Sequence, residues 1–207
     1  MIYVGIDFSL NKTACCILKN NLFSFNIWPL ELDEKSIKKL INADIYVDNR
    51  QRLNKGETSS EKFRYHISMA NNLSNKIVKF LEETIQNEKV VIGFEGSSFG
   101  SSGDAALQLA GYQYILVNKL GKLYGLKNIY TYAPLTIKSI AGCATKDKRG
   151  KAFMIKAFIE KDIKHKFKYV LKDNSIMLKK KTNYISGIDD LVDSYFILET
   201  LRIKENI

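Results

Sequence analysis

The sequence predicts an α/β layer fold built on a mixed sheet, and three observations predict it. Strand-length apolar runs cluster at the start of the chain. Beyond them strand and helix patterns alternate, with neither an internal repeat nor a domain linker. The 207 residues are 45% hydrophobic and 26% charged, an ordinary composition for one soluble domain with a full core.

Ile2 to Phe8 is the first strand, Thr13 to Leu18 the second and Leu22 to Trp28 the third. Turns at Asn11-Lys12 and Asn20-Asn21 make them antiparallel, and Pro29 ends the third. Glu34 to Ile41 is a short helix with Ile37, Leu40 and Ile41 on one face. Asp48 to Ser60 is polar and reads as a loop. Ser60 to Gln86 has helical period, with Ile67, Leu73, Ile77, Phe80 and Leu81 as its apolar stripe. Val90 to Glu95 is a central strand, Gly96 to Gly103 a Gly/Ser loop, and Ala105 to Tyr124 a helix stopped by Gly125. Asn128 to Tyr132 is a short strand, and Pro134 to Ile140 a short helix or turn. Lys151 to Lys161 and Ile188 to Ile203 are the last helices.

Acids stand where buried strands end. Asp7 closes one apolar run and Glu95 closes another, and a carboxylate there needs a reason. Asp190 and Asp193 lie one helical turn apart, so both face the same way; Asp189 and Asp193, four apart, serve equally well. A divalent cation relieves the repulsion of such hard oxygen ligands and leaves positions open for phosphate oxygens. The rival explanations are an Asp opening a turn, a solvated strand end, and acids at a helix N-terminus.

The net charge of +10 is uneven, with 16 Lys+Arg against 4 Asp+Glu between Lys122 and Lys181. A basic half beside an acidic cluster suits a metal-dependent enzyme acting on a polyanion. Lys146, Lys148, Arg149 and Lys151 are its densest patch. Lys164 to Lys168 and Lys179 to Lys181 read as DNA-backbone contacts or plain surface, and His66 and His165 are too isolated to be ligands. Cys15, Cys16 and Cys143 form no CxxC or paired framework and fit a reducing compartment. No membrane span and no signal-peptide layout are visible, so a cytoplasmic, non-secreted protein of a bacterium or phage-infected cell is expected.

The order of elements and acids resembles the RuvC-like Holliday junction resolvases, within the ribonuclease H-like fold. Gly5-Ile6-Asp7-Phe8-Ser9-Leu10-Asn11-Lys12-Thr13 is similar to their first-strand motif, and Phe94-Glu95-Gly96 to their second acidic motif. Ala133-Pro134-Leu135-Thr136-Ile137-Lys138 and Gly142 to Lys151 resemble the basic region. Asp189-Asp190-Leu191-Val192-Asp193-Ser194 resembles the closing motif of phage, poxviral and mitochondrial members. Ala144 departs from the pattern, standing where a second glycine is usual, and the active-site lysine is Lys148 or Lys151.

The resemblance implies a three-layer ribonuclease H-like fold with a mixed central sheet flanked by helices, occupying residues 1–207 as one nuclease domain. It implies two Mg²⁺ ions, replaceable by Mn²⁺, on Asp7, Glu95, Asp190 (or Asp189) and Asp193. It implies DNA contacts from Phe99, Lys138, Lys146, Lys148, Arg149 and Lys151, with Phe99 stacking into an opened junction; the alternatives are a Phe99 folded back as a loop anchor and a basic patch that is a solvated loop. The expected function is a homodimeric endonuclease that nicks branched DNA in pairs. A non-catalytic junction binder and a ribonuclease H acting on RNA–DNA hybrids are the alternatives. An actin-like ATPase needs a longer chain, and a proofreading exonuclease needs a Glu where Ser9 stands.

Overall fold

The computed structural model describes residues 1–54, 56–96, 104–145, 150–172 and 186–206. Its six strands are β1 (Ile2–Asp7), β2 (Lys12–Lys19), β3 (Leu22–Pro29), β4 (Ile45–Val47), β5 (Val90–Glu95) and β6 (Ile129–Tyr132). They form one sheet in the order β4-β3-β2-β1-β5-β6. β1, β2 and β3 are antiparallel neighbours, while β4 joins β3, β5 joins β1 and β6 joins β5 in parallel. The mixed sheet expected from the sequence is therefore present. The short strand β4, between the first helix and the polar stretch that begins at Asp48, is an addition. Three residues carry too little periodicity to announce a strand.

Helices cover both faces. On one lie α2 (Ser59–Ile85) and α3 (Asp104–Tyr124), whose Leu73, Ile77, Leu81, Leu116 and Leu120 are fully buried against Ile2, Val4, Ile6 and Phe94. On the other lie α1 (Glu34–Asn42), α4 (Pro134–Ile140), α5 (Lys151–Ile159), α6 (Lys166–Lys172) and α7 (Ile188–Glu205). Local chemistry sets several of these boundaries. Asp33 caps α1 by accepting from Ser36 N–H, and Thr58 and Glu61 form a reciprocal capping box that opens α2. Pro134 takes the first turn of α4, and Gly125 ends the α3 segment at φ +83°.

The lysine-rich stretch around His165 differs from its sequence reading. Its lysines 164 and 166 are exposed, but Ile163, His165 and Phe167 between them are buried. Phe25 meets the His165 and Phe167 rings at centroid distances of 4.9 and 5.1 Å. The segment is a wall of the core that carries lysines on its outer side, and α6 continues it.

The crossing of α7 over the sheet positions everything that follows. Gly187 starts the helix at φ +99°, seated on Ile27 of β3. Further along, a Cβ on Gly5 of β1 would lie 2.2 Å from Ser194 O and 2.5 Å from Leu198 N. Gly93 of β5 is the register partner of Gly5, and it faces Ile197 and Leu201. The two glycines form a notch in the sheet where helix and strand backbones touch.

Candidate active site

β1, β5 and α7 each deliver acids to one place. Asp7 and Glu95 each follow by one residue the registered pair Ile6 and Phe94, so they leave adjacent parallel strands at the same edge. Period-2 alternation sends Ile6 and Phe94 into the α2–α3 core and turns Asp7 and Glu95 towards α7. Because α7 is held on the glycine notch from Ser194 onward, its first turns bring Asp189, Asp190 and Asp193 over those acids. The backbone next to Glu95 is tied on both sides. Gln113 Nε2 donates to Glu95 O at 3.1 Å, and Gly96 N–H donates to Tyr132 O at 2.8 Å.

The electrostatics are those of crowded carboxylates. Burial, then Asp193, Asp190, Glu95 and Asp189, holds the Asp7 carboxyl well above the usual range. Burial, then Glu95, Asp189 and Asp190, pushes Asp193 up to about 7. Asp190 rises to about 6 through burial and Asp189, against the pull of Lys12 and Lys151. Glu95 is raised by burial, which the nearby Lys138 partly offsets. These groups feel one another strongly enough that the cluster resists full ionisation without a cation.

The two neighbouring aspartates of α7 differ. Asp189 accepts a hydrogen bond from Lys151 Nζ, which tethers the first residue of α5 to the first turn of α7. Asp190 Oδ2 is buried and, among the described residues, has no hydrogen-bond partner. A buried carboxylate oxygen without a donor is costly, and a bound cation removes that cost. The hard oxygen donors therefore fit Mg²⁺ in kind. Among the described residues, no three of the acids already stand in coordinating geometry.

Of the residues singled out in the sequence, Asp7, Glu95, Asp190, Asp193 and Asp189 share this cleft, with Lys138 and Lys151 at its margin. Phe99, Lys146, Lys148 and Arg149 lie outside the described residues. Lys12 was missed: it begins β2 and sits beside Asp190. Its signal was the antiparallel return of the hairpin, which brings the residue after the turn back beside the strand end that carries Asp7.

The yeast mitochondrial Holliday junction resolvase Ydc2 superposes with a TM-score of 0.53 at 13% identity, over 96% of this chain and 76% of that one. The fold is that of the RuvC-like resolvases. Thermus thermophilus RuvC in complex with its Holliday junction substrate is similar over 100% of this chain and 95% of that one, with a TM-score of 0.49 and 11% identity. A second Thermus thermophilus RuvC structure gives 0.49 and 10% over 100% and 97%. The yeast protein carries the assignment, and at these identities the likeness concerns the fold. No protein family profile and no curated protein sequence matches the chain. Among the described residues no helix is long and apolar enough to cross a membrane.

Proposed function

We propose that the chain is a single-domain, Mg²⁺-dependent, structure-selective DNA endonuclease acting on Holliday junctions or related branched DNA. The observation that carries this reading is the meeting of Asp7, Glu95, Asp190 and Asp193 from three separate elements in one cleft. Bound there, two divalent ions (Mg²⁺, or Mn²⁺ in its place) supply an activated water and charge stabilisation for phosphodiester hydrolysis. Water oxygen bonds to phosphorus, the opposite P–O bond breaks, and the leaving oxygen takes a proton.

The residues divide this work. Asp7, which feels the charge of every other acid of the cleft, would be a central ligand of the bound ions. Glu95 and Asp193, which lie close to one another, would complete the set. The partnerless oxygen of Asp190 favours it over Asp189 as the remaining ligand, since Asp189 is engaged by Lys151. Lys151, so aimed, is the better supported candidate for the active-site lysine, with Lys148 as its rival. Lys138, Lys146, Lys148 and Arg149 hold flanking phosphates, and Phe99 stacks on bases exposed at the crossover. A homodimer matches the two-fold symmetry of a four-way junction and delivers paired nicks.

The test is a gel assay in Mg²⁺ on matched four-way, Y-shaped and linear DNAs and an RNA–DNA hybrid. Paired symmetric nicks in the four-way junction, with little cutting of linear duplex, are expected. Binding without cleavage of any substrate, or preferential cutting of the hybrid, overturns the reading.

A further inference from the structure

Lys12 has a fixed backbone and, among the described residues, a side chain that feels Asp190 without pairing with it. The turn before it is locked three ways: Thr13 Oγ1–H donates to Ser9 O at 2.6 Å, Ser9 N–H donates to Thr13 Oγ1 at 3.2 Å, and Lys12 N–H donates to Ser9 Oγ at 2.9 Å. The buried Arg50 pins the turn from beneath, its guanidinium donating to the carbonyls of Leu10 and Trp28. Leu30 N–H adds a bond to Asn11 O at 2.7 Å. In contrast, the Lys12 ammonium makes no ion pair or hydrogen bond among the described residues.

Its direction follows from the sheet. Ala14, Cys16 and Leu18 point into the core under α7, so Lys12, two residues earlier on β2, points to the same face. Gly187, the start of α7, rests on Ile27, which is the register partner of Ala14. The first turn of α7, bearing Asp190, therefore lies beside the Lys12 end of β2. Lys151 reaches the same turn from α5. Two lysines thus approach the first turn of α7, and among the described residues Lys151 is the one already paired with a carboxylate there.

We propose that Lys12 holds a phosphate of the cleaved strand at the mouth of the carboxylate cleft. A rigid turn presenting a free ammonium suits a polyanion that must enter with its phosphate aligned. Recognition is of the phosphate, so it is independent of sequence. The inference rests on the nuclease reading, and its test is separable from it.

The experiment measures four-way junction binding without divalent metal over a range of salt, for the wild type, Lys12→Gln and Lys12→Arg. Lys12→Gln is expected to weaken binding about tenfold and to reduce the magnitude of the log Kd against log salt slope by about 0.9, one phosphate contact. Lys12→Arg should restore the slope. At saturating DNA in Mg²⁺, Lys12→Gln should also slow single-turnover nicking. An unchanged affinity and slope, with only a shifted Mg²⁺ half-saturation, overturns the proposal and leaves Lys12 as a local counter-charge for Asp190. A loss of binding that Lys12→Arg fails to rescue, together with early melting, overturns it as well. A wild type that binds junctions but never nicks them refutes the nuclease reading alone, since the slope comparison still reports on Lys12.

Discussion

The two faces of the central sheet are built from the same strands to opposite ends. Towards α2 and α3, β1 offers Ile2, Val4 and Ile6, all fully buried in a continuous aliphatic and aromatic layer. Towards α7 the same strand offers Tyr3, Gly5 and Asp7, and β5 repeats the choice with Gly93 and Glu95. Both faces gain stability from apolar area removed from water, the second through residues such as Phe25, Ile27, Phe158 and Phe196. On β1 and β5, however, the α7 face gives up side-chain volume at the paired glycines Gly5 and Gly93, so that the helix approaches closely and its first turns crowd carboxylates together. At the β1–β5 edge, the two-residue period of a strand thus separates core side chains from the candidate site.

Substitutions on the two faces should therefore fail differently. Gly5→Val should do the most damage, because its Cβ meets the α7 backbone, which has no flexible end to yield. A loss of about 3 kcal/mol or more is expected, with α7 displaced. Circular dichroism melting checks this, and a well-folded Gly5→Val protein would break the notch argument. Leu73→Ala, on the opposite face, should cost about 2–5 kcal/mol through its cavity. Its nicking rate per folded molecule should stay near that of the wild type, whereas a large loss of activity would show that the faces are not independent.

Within the α7 face, a finer contrast separates Asp189 from Asp190. Asp190→Asn should reduce nicking by a factor on the order of 10³ if it removes a metal ligand, while Asp189→Asn should cost roughly tenfold by freeing Lys151. Single-turnover rates decide, and the reverse order would exchange the two roles.

A smaller effect lies in pH. Asp7, Asp190 and Asp193 have folded-state values above those of the unfolded chain. The native state therefore keeps protons that the unfolded chain has already released. Stability without metal should be greatest near the unfolded carboxylate range and should fall as pH rises towards about 7, where Asp193 titrates. Melting scans should show a decline of a few degrees between acidic and neutral pH, reduced in Asp193→Asn. Mg²⁺ should raise the melting temperature more at neutral than at acidic pH. A flat or rising profile without metal would contradict the crowded-carboxylate picture.

Much of this arrangement was legible in the residues. The strands carrying Asp7 and Glu95 and the helix carrying Asp190 and Asp193 were readable, because long apolar runs and a buried stripe have unambiguous periods. The pairing of Gly5 with Gly93 was not, since register between strands more than 80 residues apart is a tertiary fact. The same holds for Lys12, whose neighbour Asp190 lies at the far end of the chain. The tether from Lys151 to Asp189 likewise depends on how α5 docks beside α7. His165 reads as a charged-surface residue because its lysine neighbours dominate the composition, while burial alternates residue by residue.

Nicking of a four-way junction in Mg²⁺ by the wild type and by Asp7→Asn tests the central claim most directly, because that exchange removes one charge and almost no volume. The account predicts that Asp7→Asn binds the junction at least as tightly as the wild type and nicks it more slowly by a factor on the order of 10³ or more. Nicking by Asp7→Asn at a rate near that of the wild type would contradict it.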